Sequence, residues 1–111
     1  MHESYFRRVA AAATFSAARG TKADLAAGQH LFCGLNCFEP GQAQHVHTHA
    51  GADKFYLVLS GRARMQVGDE VAEAEAGTLV WCPADVPHGV LEALERTVML
   101  VAIAPPPRRG G

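Results

Sequence analysis

From Gly20 onward, glycine or proline interrupts the chain at short intervals: Gly28, Gly34, Pro40-Gly41, Gly51, Gly61, Gly68, Gly77, Pro83, Pro87 and Gly89. Between these markers lie short apolar or alternating runs at 31–38, 55–59, 62–67, 78–81 and 97–103. Brief runs of period two, each closed by a turn residue, predict strands, and their regular succession predicts an all-β sandwich or barrel. Gly68-Asp69-Glu70, between Met65-Gln66-Val67 and Val71, predicts a hairpin turn. The alanine-rich start carries two competing signals: Ala10 to Ala13 could begin a short helix, while Thr14-Phe15-Ser16 favours a strand. At the other end Pro105-Pro106-Pro107-Arg108-Arg109-Gly110-Gly111 cannot join a sheet, because proline donates no ladder hydrogen bond. The expected organisation is one domain over 1–104 with its core in 31–103, followed by a flexible, solvated tail over 105–111.

Composition narrows the function classes. A chain of 111 residues that is 49% hydrophobic fills one core and not two. Ten Lys and Arg against eleven Asp and Glu give a formal net charge of −1, which offers no basic footprint for nucleic acid. No run approaches the roughly 18 apolar residues of a membrane span. The start, Met1 to Arg8, has early charges and no long apolar stretch, so a cytoplasmic protein is expected. Three cysteines do not suggest a disulfide framework. Cys33 and Cys37, four residues apart on one strand face, and Cys82 read as small packing groups rather than thiolate ligands.

Histidine changes the picture. The chain has six, and His45, His47 and His49 fall within five residues. On a strand, positions i, i+2 and i+4 share a face, so these three imidazoles point the same way. Such a cluster suits a divalent transition metal, for which imidazole nitrogen is a good ligand. Positions 45 and 49 stand about 13 Å apart on an extended strand. One ion therefore holds a neighbouring pair, either His45/His47 or His47/His49. His88, after Pro83-Ala84-Asp85-Val86-Pro87, sits at the mouth of another apolar run and could complete the site from a second strand. His2 and His30 fall outside any motif.

These residues resemble the two motifs of the cupins, small double-stranded β-helix (jelly-roll) barrels. The first runs Gly, five residues, His-x-His, three or four residues, Glu, six residues, Gly; Gly41, His47, His49, position 54 and Gly61 keep that spacing. The second runs Gly, five residues, Pro-x-Gly, two residues, His, three residues, Asn; Gly77, Pro83, His88 and position 92 follow it. The resemblance spans about residues 31 to 103. It implies a single all-β jelly-roll barrel, a divalent transition metal (Fe, Mn, Ni, Zn or Cu) held by His47, His49 and His88, a small-molecule ligand and a homodimer, strand-swapped or face-packed.

Departures from the pattern fall on Lys54, where the family has its glutamate, on Asp85 for glycine and on Glu92 for asparagine. An ammonium beside a divalent ion is repulsive, so Lys54 is expected to turn away or pair with a carboxylate. Asp53 could serve as a fourth ligand only if the strand begins irregularly. His45 reads as a neighbour of the ligands, a substrate contact or, if the register slips, a ligand, and Gln44 as facing the opposite side. Tyr56, inward by alternation, is core or pocket wall; His45 and Tyr56 are the candidates for moving a proton. Leu57 and Leu59 make the opposite face apolar as well, so the strand from Phe55 to Leu59 favours a covered dimer surface. The functional expectation is a metal-dependent oxygenase, isomerase or lyase acting on a small oxygen-bearing substrate. The alternatives are a non-catalytic small-molecule or metal-sensing module, or a metal-free dimeric barrel.

Overall fold

A computed structural model describes residues 4–107; the readings for His2 and tail residues 108–111 lie outside them. The runs become strands β1 (Thr21–Ala27), β2 (Phe32–Phe38), β3 (Gln44–His47), β4 (Asp53–Ser60), β5 (Arg62–Val67), β6 (Glu70–Glu75), β7 (Leu79–Cys82), β8 (His88–Ala93) and β9 (Thr97–Ala104). The alanine-rich start forms a single helical turn, α1 (Val9–Ala12). Thr14-Phe15-Ser16 is not a strand; Phe15 instead lies beneath the Arg96 guanidinium, 4.1 Å from its ring centre.

Every pairing is antiparallel, in two sheets ordered β1-β2-β9-β4-β7 and β3-β8-β5-β6. Alternate side chains of both sheets meet in one core. Tyr56 and Val58 from β4 pack with Met99, Val101 and Ile103 from β9, and with Ala63, Met65 and Val90 from the facing sheet. The expected hairpin joins β5 to β6: Val67 pairs with Glu70, and Gly68 takes φ 59° in the two-residue turn. Gly61, between β4 and β5, has φ 83°, and a Cβ there would meet the Arg96 carbonyl oxygen at 2.1 Å. Only glycine fits that corner.

One irregularity positions the chemistry. β3 meets β8 through Gln44–Val90 and His47–His88, with a register shift between them. Three steps along β3 therefore answer two along β8, a bulge that turns both Gln44 and His47 toward the interior. Gly89 permits the close approach of these strands, since a Cβ there would stand 2.8 Å from the Gln44 carbonyl oxygen and 2.9 Å from Val46.

Candidate metal centre

His47 ends β3, His49 follows in the loop to β4, and His88 opens β8. The structure brings these three together, with one ring nitrogen from each lying within 4.8 Å of the others. Ring centroids are 4.8 Å apart for His47 and His49, 4.6 Å for His47 and His88, and 5.4 Å for His49 and His88. The loops that carry them are tied to each other. The Asp85 N–H donates to the His49 carbonyl at 3.2 Å, and the Gly51 N–H donates to Asp85 Oδ1 at 3.1 Å. Asp85 makes this brace from a left-handed conformation, φ 70°, which aspartate tolerates better than most residues. This is the position at which the family motif has glycine.

The ring nitrogens are oriented for ligation. His47 Nδ1–H donates to the His45 carbonyl at 2.8 Å and His88 Nδ1–H to the Val86 carbonyl at 3.0 Å. Both contacts fix the tautomer that leaves Nε2 with a lone pair, as in metal-binding histidines whose far nitrogen is anchored to a carbonyl. His88 is 1% exposed and its Nε2 has no hydrogen-bond partner. An orphaned buried acceptor is costly, and its lone pair points to a missing electrophile. His47 Nε2 and His49 Nε2 stand 3.1 Å apart. Two ligands about 2.1 Å from one ion are separated by roughly 3 Å at right angles, so this spacing fits a shared metal. All three histidines are held below the ordinary histidine pKa, first by desolvation, with Lys54 repelling added protons; His49 falls to about 4. The site is thus kept neutral and ready for a cation at neutral pH.

The other sequence candidates take different places. Asp53 is exposed, and its Oδ1 accepts from the Ala84 N–H at 2.9 Å, so the structure does not bring it to the histidines. No irregular start to β4 intervenes: Asp53 and Lys54 pair with Ala104 and Ile103 in regular register, and alternation sends them to opposite faces. Lys54 corrects the expectation that it would turn away or find a carboxylate. It is 3% exposed, lines the same cavity as His47 and His49, and holds Nζ 4.4 Å from the Tyr56 ring centre. Desolvation draws its pKa down to about 8. His45 is exposed at the cavity rim, contributing its carbonyl to His47 rather than a ring nitrogen to the cluster.

Tyr56 is fully buried and donates its hydroxyl to Gln44 Oε1 at 2.5 Å. Burial pushes the phenol pKa far up, so it stays protonated. Gln44 was expected to face away; the bulge in β3 turns it inward, and period-two reasoning has no means of seeing a bulge. Leu35 and Cys37 are buried, yet belong to the β2 face opposite the main core, while Cys82 packs within it. All three thiols are free.

A cavity of about 460 Å³ opens beside the cluster, walled by Phe32, Val101 and Ile103 and lined with Asn36, Lys54, His45, His47 and His49. Two antiparallel sheets closed over one core, with three histidines converging at an open end, define a double-stranded β-helix barrel with a candidate metal centre. The chain belongs to the cupin family: the family's "Cupin domain" profile matches residues 34–103. It is 33% identical over 78 residues to the uncharacterised protein SCO3923 of Streptomyces coelicolor, covering 70% of this chain and 73% of that one. The crystal structure of TT1209 from Thermus thermophilus superposes with a TM-score of 0.88 at 32% identity, over 94% of this chain and all of the other (100%). An RmlC-like cupin from Desulfovibrio desulfuricans gives 0.78 at 28% identity, over 96% and 99%.

Proposed function

We propose that this cupin holds one divalent transition metal through His47, His49 and His88 and binds a small oxygen-bearing molecule in the adjoining cavity. The carrying observation is the buried, unpartnered Nε2 of His88, facing two further imidazole nitrogens. A bound ion with three protein ligands would supply Lewis acidity and open coordination positions for a ligand oxygen. The chain's own residues orient and enclose. Carbonyls of residues 45 and 86 fix the imidazole tautomers, Phe32, Val101 and Ile103 give the cavity an apolar wall, and Tyr56 is locked to Gln44. Tyr56 is accordingly a poor proton carrier, which leaves His45 at the rim as the candidate proton shuttle for isomerase, lyase or oxygenase chemistry. Metal analysis of protein purified without chelator tests the reading: close to one equivalent of a transition metal per chain is expected, and metal-free protein that takes up none refutes it.

A second reading, a non-catalytic binding or sensing module, is favoured by Lys54 at the position of the family's glutamate. Turnover screening of metal-loaded protein separates it from the enzyme. Neither reading involves nucleic acid, for which the net charge of −1 gives no footprint. Among the described residues no helix is long and apolar enough to cross a membrane. Free thiols at Cys33, Cys37 and Cys82 support a reducing, cytoplasmic setting. The outward face of β4, β7 and β9 supports a face-packed homodimer. There Phe55 pairs with Trp81 and Leu57 with Leu79, and Leu79 and Trp81 are 54% and 53% exposed.

A further inference from the structure

Lys54 is a buried cation whose counter-charge is missing. Its side chain enters the cavity from β4, beside the histidines. Among the described residues no carboxylate pairs with it; Asp24, the acidic group lining the cavity, stands exposed on β1 and forms no ion pair. Its ammonium lies over the Tyr56 ring, a weak substitute for an anion. Cys82, its cross-strand partner, is held as a neutral thiol because burial pushes its pKa to about 11. Lys22, at the same cavity, adds positive charge rather than removing it. A desolvated ammonium without a partner is unfavourable, and a chain that keeps one in a ligand-sized cavity gains when an anion enters.

We propose that Lys54 anchors the carboxylate of a small ligand whose short apolar body lies against Phe32, Val101 and Ile103. This deepens the proposed function; it rests on reading the cavity as a ligand site, and the metal is not required for it. Lys54 is the buried ammonium of the cavity, Lys22 being exposed, and one desolvated ammonium matches a carboxylate, whereas phosphate is usually met by several donors or by arginine forks. Asn36, 6% exposed on the cavity wall, offers an amide to the same oxygens. The cavity thus selects against neutral isosteres, which would leave the ammonium unanswered.

The test titrates chelator-treated and zinc-loaded protein with hexanoate, hexanamide and inorganic phosphate, following histidine ring and Lys54 side-chain signals by NMR. Hexanoate is expected to saturate in both forms, to bind at least tenfold more weakly to Lys54→Met, and to recover with Lys54→Arg. Folding of each variant is checked by its urea midpoint, and Lys54→Met, which removes a buried charge, is expected to fold. Absence of saturable hexanoate binding, equal affinity in Lys54→Met, or hexanamide binding as tightly as hexanoate overturns the proposal. Phosphate binding more tightly than hexanoate overturns the carboxylate assignment. Protein that takes up no zinc yet loses hexanoate with Lys54→Met refutes the metal reading and upholds this one. Zinc uptake with hexanoate indifferent to Lys54 does the reverse.

Discussion

His47 and His88 are direct cross-strand partners, the last paired residue of β3 opposite the first of β8, with ring centroids 4.6 Å apart. The pairing sets two of the three candidate ligands by sheet register, while His49 follows in the loop to β4. If these residues hold one ion, His47→Ala or His88→Ala lowers bound metal at least tenfold while the β-sheet circular dichroism is retained. Stoichiometric metal in the double variant, measured by elemental analysis, would exclude the assignment.

Lys54 and Asp53 give a second, opposed pair of outcomes. Lys54 points at the site, so Lys54→Glu places a carboxylate in the cavity and removes a repulsive cation. Metal binding should tighten by about 1 kcal/mol or more, as expected for charges at short range in a partly desolvated site. Asp53 instead accepts from the Ala84 N–H, so Asp53→Asn should leave metal affinity unchanged. Competition titration with a chromophoric chelator reads both, and the reverse pattern would make Asp53 the ligand.

The barrel was legible wherever alternation was strong. β5 (Arg62–Val67) matches its sequence run, and β2, β4, β7 and β9 match within a few residues. β1 (Thr21–Ala27) escaped, and of β6 (Glu70–Glu75) only the hairpin turn leading into it was read, because both are rich in alanine and charge and mostly exposed. An edge strand with one neighbour needs little apolar patterning to be held in place. At the site, motif spacing pointed to His47, His49 and His88. It could not show that Gln44 meets Tyr56, because that contact depends on the β3 bulge. Nor could it reveal the inward Lys54, where repulsion from an ion argued for the opposite orientation.

Assembly is tested on the outer sheet face. With Leu79 and Trp81 exposed beside Phe55 and Leu57, light scattering at micromolar concentration should give twice the chain mass of 11.8 kDa. Trp81→Glu puts a charge at the centre of that patch and should yield monomer with little loss of fold, since the side chain already faces outward. A wild-type mass near 11.8 kDa rules the dimer out.

The depressed histidine pKa values make a prediction about acid. In metal-free protein His49 lies near 4, and His47 and His88 are also lowered, while unfolded histidine sits near 6.5. Between those values the unfolded chain binds protons that the native chain refuses, so stability rises with pH through the window and is lost as pH falls through it. Urea midpoints of chelator-treated protein should therefore decline from pH 7 toward pH 5, above the range in which ordinary carboxylates titrate. His49→Gln removes one such group, and the pH slope should shrink by up to about one proton. Bound metal competes with the same protons, so loaded protein should show a steeper slope and release its ion as acid is added. A midpoint that is flat or rises between pH 7 and pH 5 would mean that the three imidazoles are not held neutral by burial, and a preformed cation site would lose its electrostatic basis.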